Sequence, residues 1–238
     1  MVRAAALLAA ALVLVAYTLV AERLPDVSTW WEVAVVALFV IPLMFVLVWI
    51  ALPVSRLGSL RLGLLALTLV LLAIAASRVD LELAANFLKL AAATTLGWWA
   101  LSFFEEAWWV PLIAVLIVPV DLYSVARGPT REITENRPEV FDALSVFMRV
   151  PGESGTANLG LPDVLFFALF LGACVRFGLR AGPTWVAMTL SFGATLALAV
   201  ALGEPGIAAL PLLSLAFVAV NADLLWRGFR ERPANEEA

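Results

Sequence analysis

The chain has 238 residues, of which 63% are hydrophobic and 14% charged, and its formal net charge is −4. This composition lies far outside the range of soluble globular proteins and is typical of integral membrane proteins. The absence of histidine and the presence of one cysteine exclude zinc proteases of the HExxH type, Ser-His and Cys-His nucleophile pairs, and cysteine-rich metal sites. We therefore expect neither a metal nor a cofactor. The small net charge, without runs of like charge, gives no indication of nucleic-acid binding.

Apolar stretches recur along the chain at the length of about 20 residues that a helix needs to cross a bilayer. The first follows Arg3 as in a signal peptide, but it is long for one and no clear cleavage site comes after it. The stretches cover about residues 4–20, 33–54, 60–77, 84–104, 107–126, 163–181, 183–202 and 207–226. They predict an all-α, polytopic transmembrane helical bundle with about eight to nine spans in a lipid bilayer.

The longest connection, about residues 127–158, carries most of the polar sequence. Two runs of helix breakers interrupt it, GP at 128–129 and PGESG at 151–155. Connections of this length are usually functional or disordered. We therefore expect a mobile loop whose end nearest Asp163 is available for pairing as a strand.

Acidic side chains inside apolar stretches are costly to bury unless they have a partner. Asp223 has Arg227 four residues further on, so an ordinary helical ion pair would account for it. Asp121, in VLIVPVDLYSVAR, and Asp163, in LGLPDVLFF, have no basic residue at helical spacing within their own stretches. The economical arrangement is for the two carboxyl groups to face each other and share a proton.

A buried pair of carboxyl groups is compatible with more than one function. Such groups serve proton and ion pathways in transporters and channels as well as catalysis. Transporters more often show paired interrupted helices in two repeats, and no internal repeat stands out in this chain. From the residues alone, a catalytic carboxylate pair and a carboxylate-lined transporter or proton or ion channel both remain open.

Three motifs occur in order in the second half of the chain: VDLYSV around Asp121, GLPD ending at Asp163, and AALPLLS at 208–214. Together they resemble the presenilin and signal peptide peptidase family of intramembrane aspartyl proteases. In that family one aspartate lies in a transmembrane helix, the second follows a Gly-x-Gly motif at the next helix, and a Pro-Ala-Leu motif marks the last helix. The resemblance covers about residues 107–230 and extends to the polar segment after the first aspartate.

The resemblance implies a presenilin-like fold and an aspartic endopeptidase that cleaves transmembrane segments of membrane proteins or signal-peptide remnants, with Asp121 and Asp163 as the catalytic pair. It divides the chain into about four N-terminal spans in residues 1–106, a catalytic half in 107–230 and a short tail in 231–238. The residues expected to bind substrate are Gly160, Leu161, Pro162, Ala209, Leu210, Pro211 and Tyr123. Nearly all basic residues are arginine, which indicates a GC-rich genome and the cell membrane of a prokaryote. No motif indicates an oligomeric state.

Three positions depart from the family pattern. Val120 stands where the family has a tyrosine before the first aspartate, and Ala208 replaces the first proline of the last motif. Pro162 replaces the second glycine of Gly-x-Gly, which stiffens a place where the family keeps backbone freedom. A catalytically inactive presenilin-like membrane protein is therefore a further alternative.

Overall fold

The computed structural model describes residues 2–128, 132, 136–204 and 206–230, and it is 78% helical. The described helices that are long and apolar enough to cross a membrane number six, namely Val2–Arg23, Thr29–Arg56, Ser59–Arg78, Trp109–Ala126, Ala181–Leu202 and Leu210–Arg227. The predicted membrane-protein helical bundle is thus confirmed, whereas these six candidate spans do not establish the predicted eight to nine. The predicted tail, 231–238, lies outside the described residues.

The first half of the chain is a series of apolar helices. Pro42 has no N–H to give to the carbonyl four residues before it, and the helix adopts a π-helical register over Val36–Val40 just before this proline. The α-helices are α1 Val2–Val20, α2 Thr29–Val35, α3 Ile41–Ala51, α4 Ser59–Arg78 and α5 Glu82–Leu101.

The second half contains the remaining helices and one small sheet. Gly203 adopts a left-handed conformation with φ of 68° and ends one of these helices, as glycine commonly does. The elements are α6 Trp109–Ala126, α7 Pro138–Ala143, β1 Ser145–Arg149, β2 Thr156–Gly160, α8 Leu161–Arg176, α9 Ala181–Leu202 and α10 Leu210–Arg230. Each of the eight predicted apolar stretches therefore contains a helix.

Helix α8 is the centre of the core, since its residues from Phe167 to Cys174 are all buried. The ring of Phe167 stacks on Phe45 of α3 with centroids 3.8 Å apart, and Phe170 stacks on Phe217 of α10 at 4.7 Å. Helices from both halves of the chain therefore pack around α8, and the element that begins with Asp163 is held from several sides.

The segment 138–160 is an ordered part of the fold. Strands β1 and β2 pair antiparallel, with Ser145 opposite Gly160, and the PGESG sequence forms the turn between them. Gly152 has a φ of 77° in this turn and donates its N–H to Ala21 O at 2.9 Å. The segment is therefore not the irregular loop that its sequence predicted, because its backbone is hydrogen-bonded within a hairpin and to the N-terminal helices. Its mobility without substrate stays a prediction. Residues 129–131 and 133–135 of the expected loop lie outside the described residues.

The expected ion pair of Asp223 with Arg227 is replaced by one with Arg180. Two hydrogen bonds, of 2.6 and 2.7 Å, join the Arg180 guanidinium to the Asp223 carboxylate. The hydrogen bond and the charge of Asp223 raise the pKa of Arg180 above its ordinary value. Arg180 lies in the turn between α8 and α9, so tertiary packing supplies a closer cation than the helical neighbour does.

Candidate active site

Asp121 lies near the end of α6 and points at the start of another helix. Its side chain is half-buried, and its Oδ2 atom accepts a hydrogen bond from the backbone N–H of Leu210 at 3.1 Å. Leu210 is the first residue of α10, and the first N–H groups of a helix have no partner within the helix. The Asp121 carboxyl group therefore occupies the place where the helix dipole favours a negative charge.

Asp163 has a similar environment at the start of α8. It is the third residue of that helix and half-buried, and its carboxyl group turns back towards the backbone of Gly160. A carboxylate at this position interacts favourably with the N-terminus of its own helix. The approach is close, since a Cβ atom placed on Gly160 would lie 3.0 Å from Asp163 Oδ2.

The two carboxyl groups lie close enough for the charge of Asp121 to act on Asp163. Helix α10 makes this possible, since it packs against both α6 and α8. The three sequence motifs thus meet at one point, with each carboxyl group at the N-terminus of a helix. Two neighbouring carboxyl groups do not both ionise easily, so such a pair offers one acid and one base.

The residues flanking the pair lie in the first turns of α8 and α10. Pro162 is exposed in the first turn of α8, where its missing N–H removes no hydrogen bond from the helix. Pro211 follows Leu210 in the first turn of α10, where the same holds. The helix starts therefore accommodate both prolines without distortion. Ala209 and Leu210 are buried, while Leu161 and Gly160 are half-buried beside Asp163.

Tyr123 lies on a different face of α6 from Asp121. Its side chain is 64% exposed, and two residues along a helix correspond to a rotation of about 200°. The structure does not bring Tyr123 to the carboxyl pair. Its expected contact with substrate stays a prediction, one that would require the substrate to lie along the outer face of α6.

The two outer edges of the hairpin before Asp163 differ in their hydrogen bonding. Phe147 of β1 donates its N–H to Asn86 Oδ1 at 2.9 Å and accepts from Asn86 Nδ2 at 3.0 Å. Both backbone groups of Phe147 thus point away from β2. Asn158 lies opposite Phe147, so its backbone groups likewise point away from β1. Backbone bonds from Leu161 to Leu144 and from Val150 to Gly155 agree with this alternation.

Alternation then places the N–H and C=O groups of Thr156 and Asn158 on the outer edge of β2. Among the described residues, neither residue's outward backbone groups have a hydrogen-bond partner. Gly160 continues this edge, and its backbone lies beside the Asp163 carboxyl group. An open strand edge therefore runs directly into the carboxyl pair.

Sequence reasoning identified both carboxyl groups but did not identify Asn86. The signal was present, because Asn86 is an amide inside the apolar run LAANFLKLAAA, and polar residues in such runs commonly have a specific partner. Its partner is 61 residues away in a segment that was expected to be a loop.

Neither the comparison with protein-family models nor that with curated proteins gave a match for this chain.

Proposed function

We propose that this protein is an intramembrane aspartyl protease that cleaves transmembrane segments of membrane proteins or signal-peptide remnants. The observation that carries the proposal is the meeting of Asp121 and Asp163 at the N-termini of α10 and α8, where an open strand edge ends. The resemblance of the three sequence motifs to presenilins and signal peptide peptidases agrees with it.

The chemistry requires one ionised and one protonated carboxyl group. The ionised group takes a proton from a water molecule, whose oxygen attacks the carbonyl carbon of the scissile peptide bond. The protonated group donates a hydrogen bond to the carbonyl oxygen, and a proton then passes to the leaving amine as the C–N bond breaks. The N–H group of Leu210 holds the Asp121 carboxyl group, and the N-termini of α10 and α8 stabilise the negative charge that stays on the pair.

A transmembrane substrate has to unwind before this attack, because a helix keeps its amide groups in internal hydrogen bonds. The outer edge of β2 offers unpaired N–H and C=O groups to such an unwound segment. Strand addition at an open edge is a common mode of peptide recognition. A substrate strand on this edge would reach the carboxyl pair where β2 ends at Gly160.

The proposed topology has eight spans, made of the six long apolar helices together with α5 and α8. Helix α8 has 16 residues and is enclosed by other helices, so it does not need the length of a lipid-facing span. Helix α6 lies at the periphery, and Val120 and Leu122 beside Asp121 are mainly exposed. The carboxyl pair is therefore close to the face of the bundle from which a substrate in the lipid would approach. We place the protein in the cell membrane of a prokaryote.

The test uses purified protein in liposomes with a labelled single-span peptide, with and without an aspartyl-protease inhibitor. We expect cleavage that the inhibitor abolishes, and none with Asp121→Asn. A parallel measurement of proton flux across the same liposomes tests the transporter or channel alternative. Flux that Asp121→Asn abolishes, together with an intact peptide in every lipid mixture, would overturn the proposal in favour of that alternative. An intact peptide without flux would favour an inactive presenilin-like protein.

A further inference from the structure

Side chains of the N-terminal helices bond the outer edge of β1 at each residue whose backbone points outward, through both groups of Phe147 and through the carbonyl groups of Ser145 and Arg149. Asn86 of α5 takes both groups of Phe147, Lys89 of α5 donates to Ser145 O at 3.3 Å, and Tyr17 of α1 donates its hydroxyl to Arg149 O at 2.8 Å. Side chains therefore stand in for a third strand on this side of the hairpin. A further strand could therefore pair with the hairpin at the outer edge of β2.

Asn86 has the central place in this contact. Its amide group both donates and accepts, so it reproduces the paired hydrogen bonds of a neighbouring strand residue. Helix α5 that carries it is itself fixed against α8, because the backbones approach closely at Gly97, where an added Cβ atom would lie 2.3 Å from Leu165 O. Helix α5 thus fixes the position of β1 relative to α8, the helix whose first turn contains Asp163.

Only a few bonds separate this contact from the carboxyl pair. Phe147 lies opposite Asn158, Ser145 lies opposite Gly160, and the backbone of Gly160 lies beside the Asp163 carboxyl group. A displacement of β1 would move β2 with it, and the residues of a strand are about 3.3 Å apart. A shift of β2 by one residue would therefore present a different peptide bond to the carboxyl groups.

We propose that Asn86 is a positioning residue that holds the hairpin in register with the carboxyl pair, and so determines which peptide bond of a substrate is cleaved. This inference rests on the proposed proteolytic function. It assigns to the N-terminal half, which the motifs do not cover, a direct part in the selection of the cleavage site.

The first measurement is independent of proteolysis. Asn86→Ala removes both hydrogen bonds to Phe147, so amide hydrogen exchange at Phe147 should become on the order of tenfold faster than in the wild type, as expected for the loss of about one net hydrogen bond. Thr95→Val is the matched control, because it removes a side-chain hydrogen bond within the same helix, to Ala91 O, about 13 Å along the helix from Asn86. Unchanged exchange at Phe147 in Asn86→Ala would overturn the inference.

The second measurement maps the cleaved bond of a single-span peptide by mass spectrometry. We expect one dominant bond for the wild type and for Thr95→Val, and cleavage spread over neighbouring bonds for Asn86→Ala. Tyr17→Phe, which removes one bond at the same edge, should give a smaller spread and covers the case in which Asn86→Ala does not fold. Cleavage at the wild-type bond, with only the rate or the Tm reduced, would show a purely structural role and overturn the inference. If the wild type cleaves no peptide, the proposed function fails, and this inference fails with it.

Discussion

The backbone N–H of Leu210 donates a hydrogen bond to Asp121 Oδ2 across 3.1 Å, although the two residues are 89 positions apart in the sequence. The contact joins the last of the three motifs to the first. It gives a physical reason for a helix start at this place, because the first N–H groups of a helix need an acceptor and Asp121 provides one. The AALP sequence therefore acts through its backbone, which sets the position of the first carboxyl group.

Replacement of either carboxyl group should abolish proteolysis and leave the fold intact. Asparagine is nearly isosteric with aspartate, and the amide oxygen that either substitution introduces could still accept a hydrogen bond from the helix start. We expect Asp121→Asn, Asp163→Asn and the double variant to be equally inactive, since groups that act as a unit are not additive. Cleavage assays give the activity, and thermal unfolding in detergent gives the Tm. Near wild-type cleavage by either single variant would contradict the two-carboxylate mechanism.

Gly160→Ala should reduce activity more than it reduces stability. The new Cβ atom would lie 3.0 Å from Asp163 Oδ2, so the carboxyl group must shift by a few tenths of an ångström from its position near Asp121. Because a misplacement of about 1 Å can cost about 100-fold in rate, we expect this smaller shift to cost on the order of several-fold. Gly155→Ala in the hairpin turn is the matched control, because its nearest neighbour would be Glu153 Oε2 at 3.5 Å. Equal cleavage rates for the two variants would show that the Gly160 contact does not position Asp163.

The rate of proteolysis should pass through a maximum as the pH is varied. The mechanism needs one charged and one neutral carboxyl group, so activity falls at low pH, where both are protonated, and at high pH, where both are ionised. The apparent pKa values obtained from the two sides of this profile belong to the pair and not to either residue alone. Initial cleavage rates at a fixed lipid composition give the profile. A rate that rises steadily with pH would indicate a single general base in place of the pair.

The helices could be predicted from the sequence because each depends on an uninterrupted apolar stretch of sufficient length, a property that is local. The hairpin could not, because SVFMR and TANLG are short and the outer edge of β1 is bonded by Asn86 and Tyr17, far away along the chain. The same limit explains the ion pair of Asp223, whose actual partner Arg180 lies 43 residues away. Sequence spacing identifies partners on one helix and does not identify those brought close by packing.

The candidate site was predictable to a different degree. Asp121 and Asp163 could be recognised because a carboxyl group in an apolar stretch is costly, and this cost is visible in the sequence. The residues whose backbones contact them, Leu210 and Gly160, were included only through the resemblance of the motifs. These contacts are made by backbone atoms, for which almost any residue could serve, so neither composition nor spacing identifies them.

Gly97→Ala should destabilise the protein strongly. The added Cβ atom would lie 2.3 Å from Leu165 O, and helices α5 and α8 would have to move apart. Overpacking of this kind costs about 1–3 kcal/mol. Gly182→Ala is the control, because no atom lies within 4 Å of the new Cβ and alanine favours the first turn of α9. Thermal unfolding in one detergent should give a lower Tm for Gly97→Ala and an equal or higher one for Gly182→Ala. The opposite order would show that the close α5–α8 approach is not required.

Asn221 should be the polar residue whose loss most weakens the far end of the bundle. It is fully buried, donates to Thr184 Oγ1 at 2.8 Å and Phe217 O at 2.9 Å, and accepts from the backbone N–H of Arg180 at 3.0 Å. Asn221→Ala leaves Thr184 and the Arg180 N–H without this partner, and an unsatisfied buried polar group costs about 1–3 kcal/mol.

Asp223→Asn is the matched control, because it removes the charge of a neighbouring pair that is partly exposed and contributes little. We expect a clear decrease in Tm for Asn221→Ala, little change for Asp223→Asn, and near wild-type proteolysis by both variants at temperatures below their Tm, since Asn221 lies about three turns along α10 from Leu210. If Asp223→Asn lowers the Tm as much as Asn221→Ala does, the ion pair with Arg180, and not the buried amide, holds the α8–α9 turn against α10.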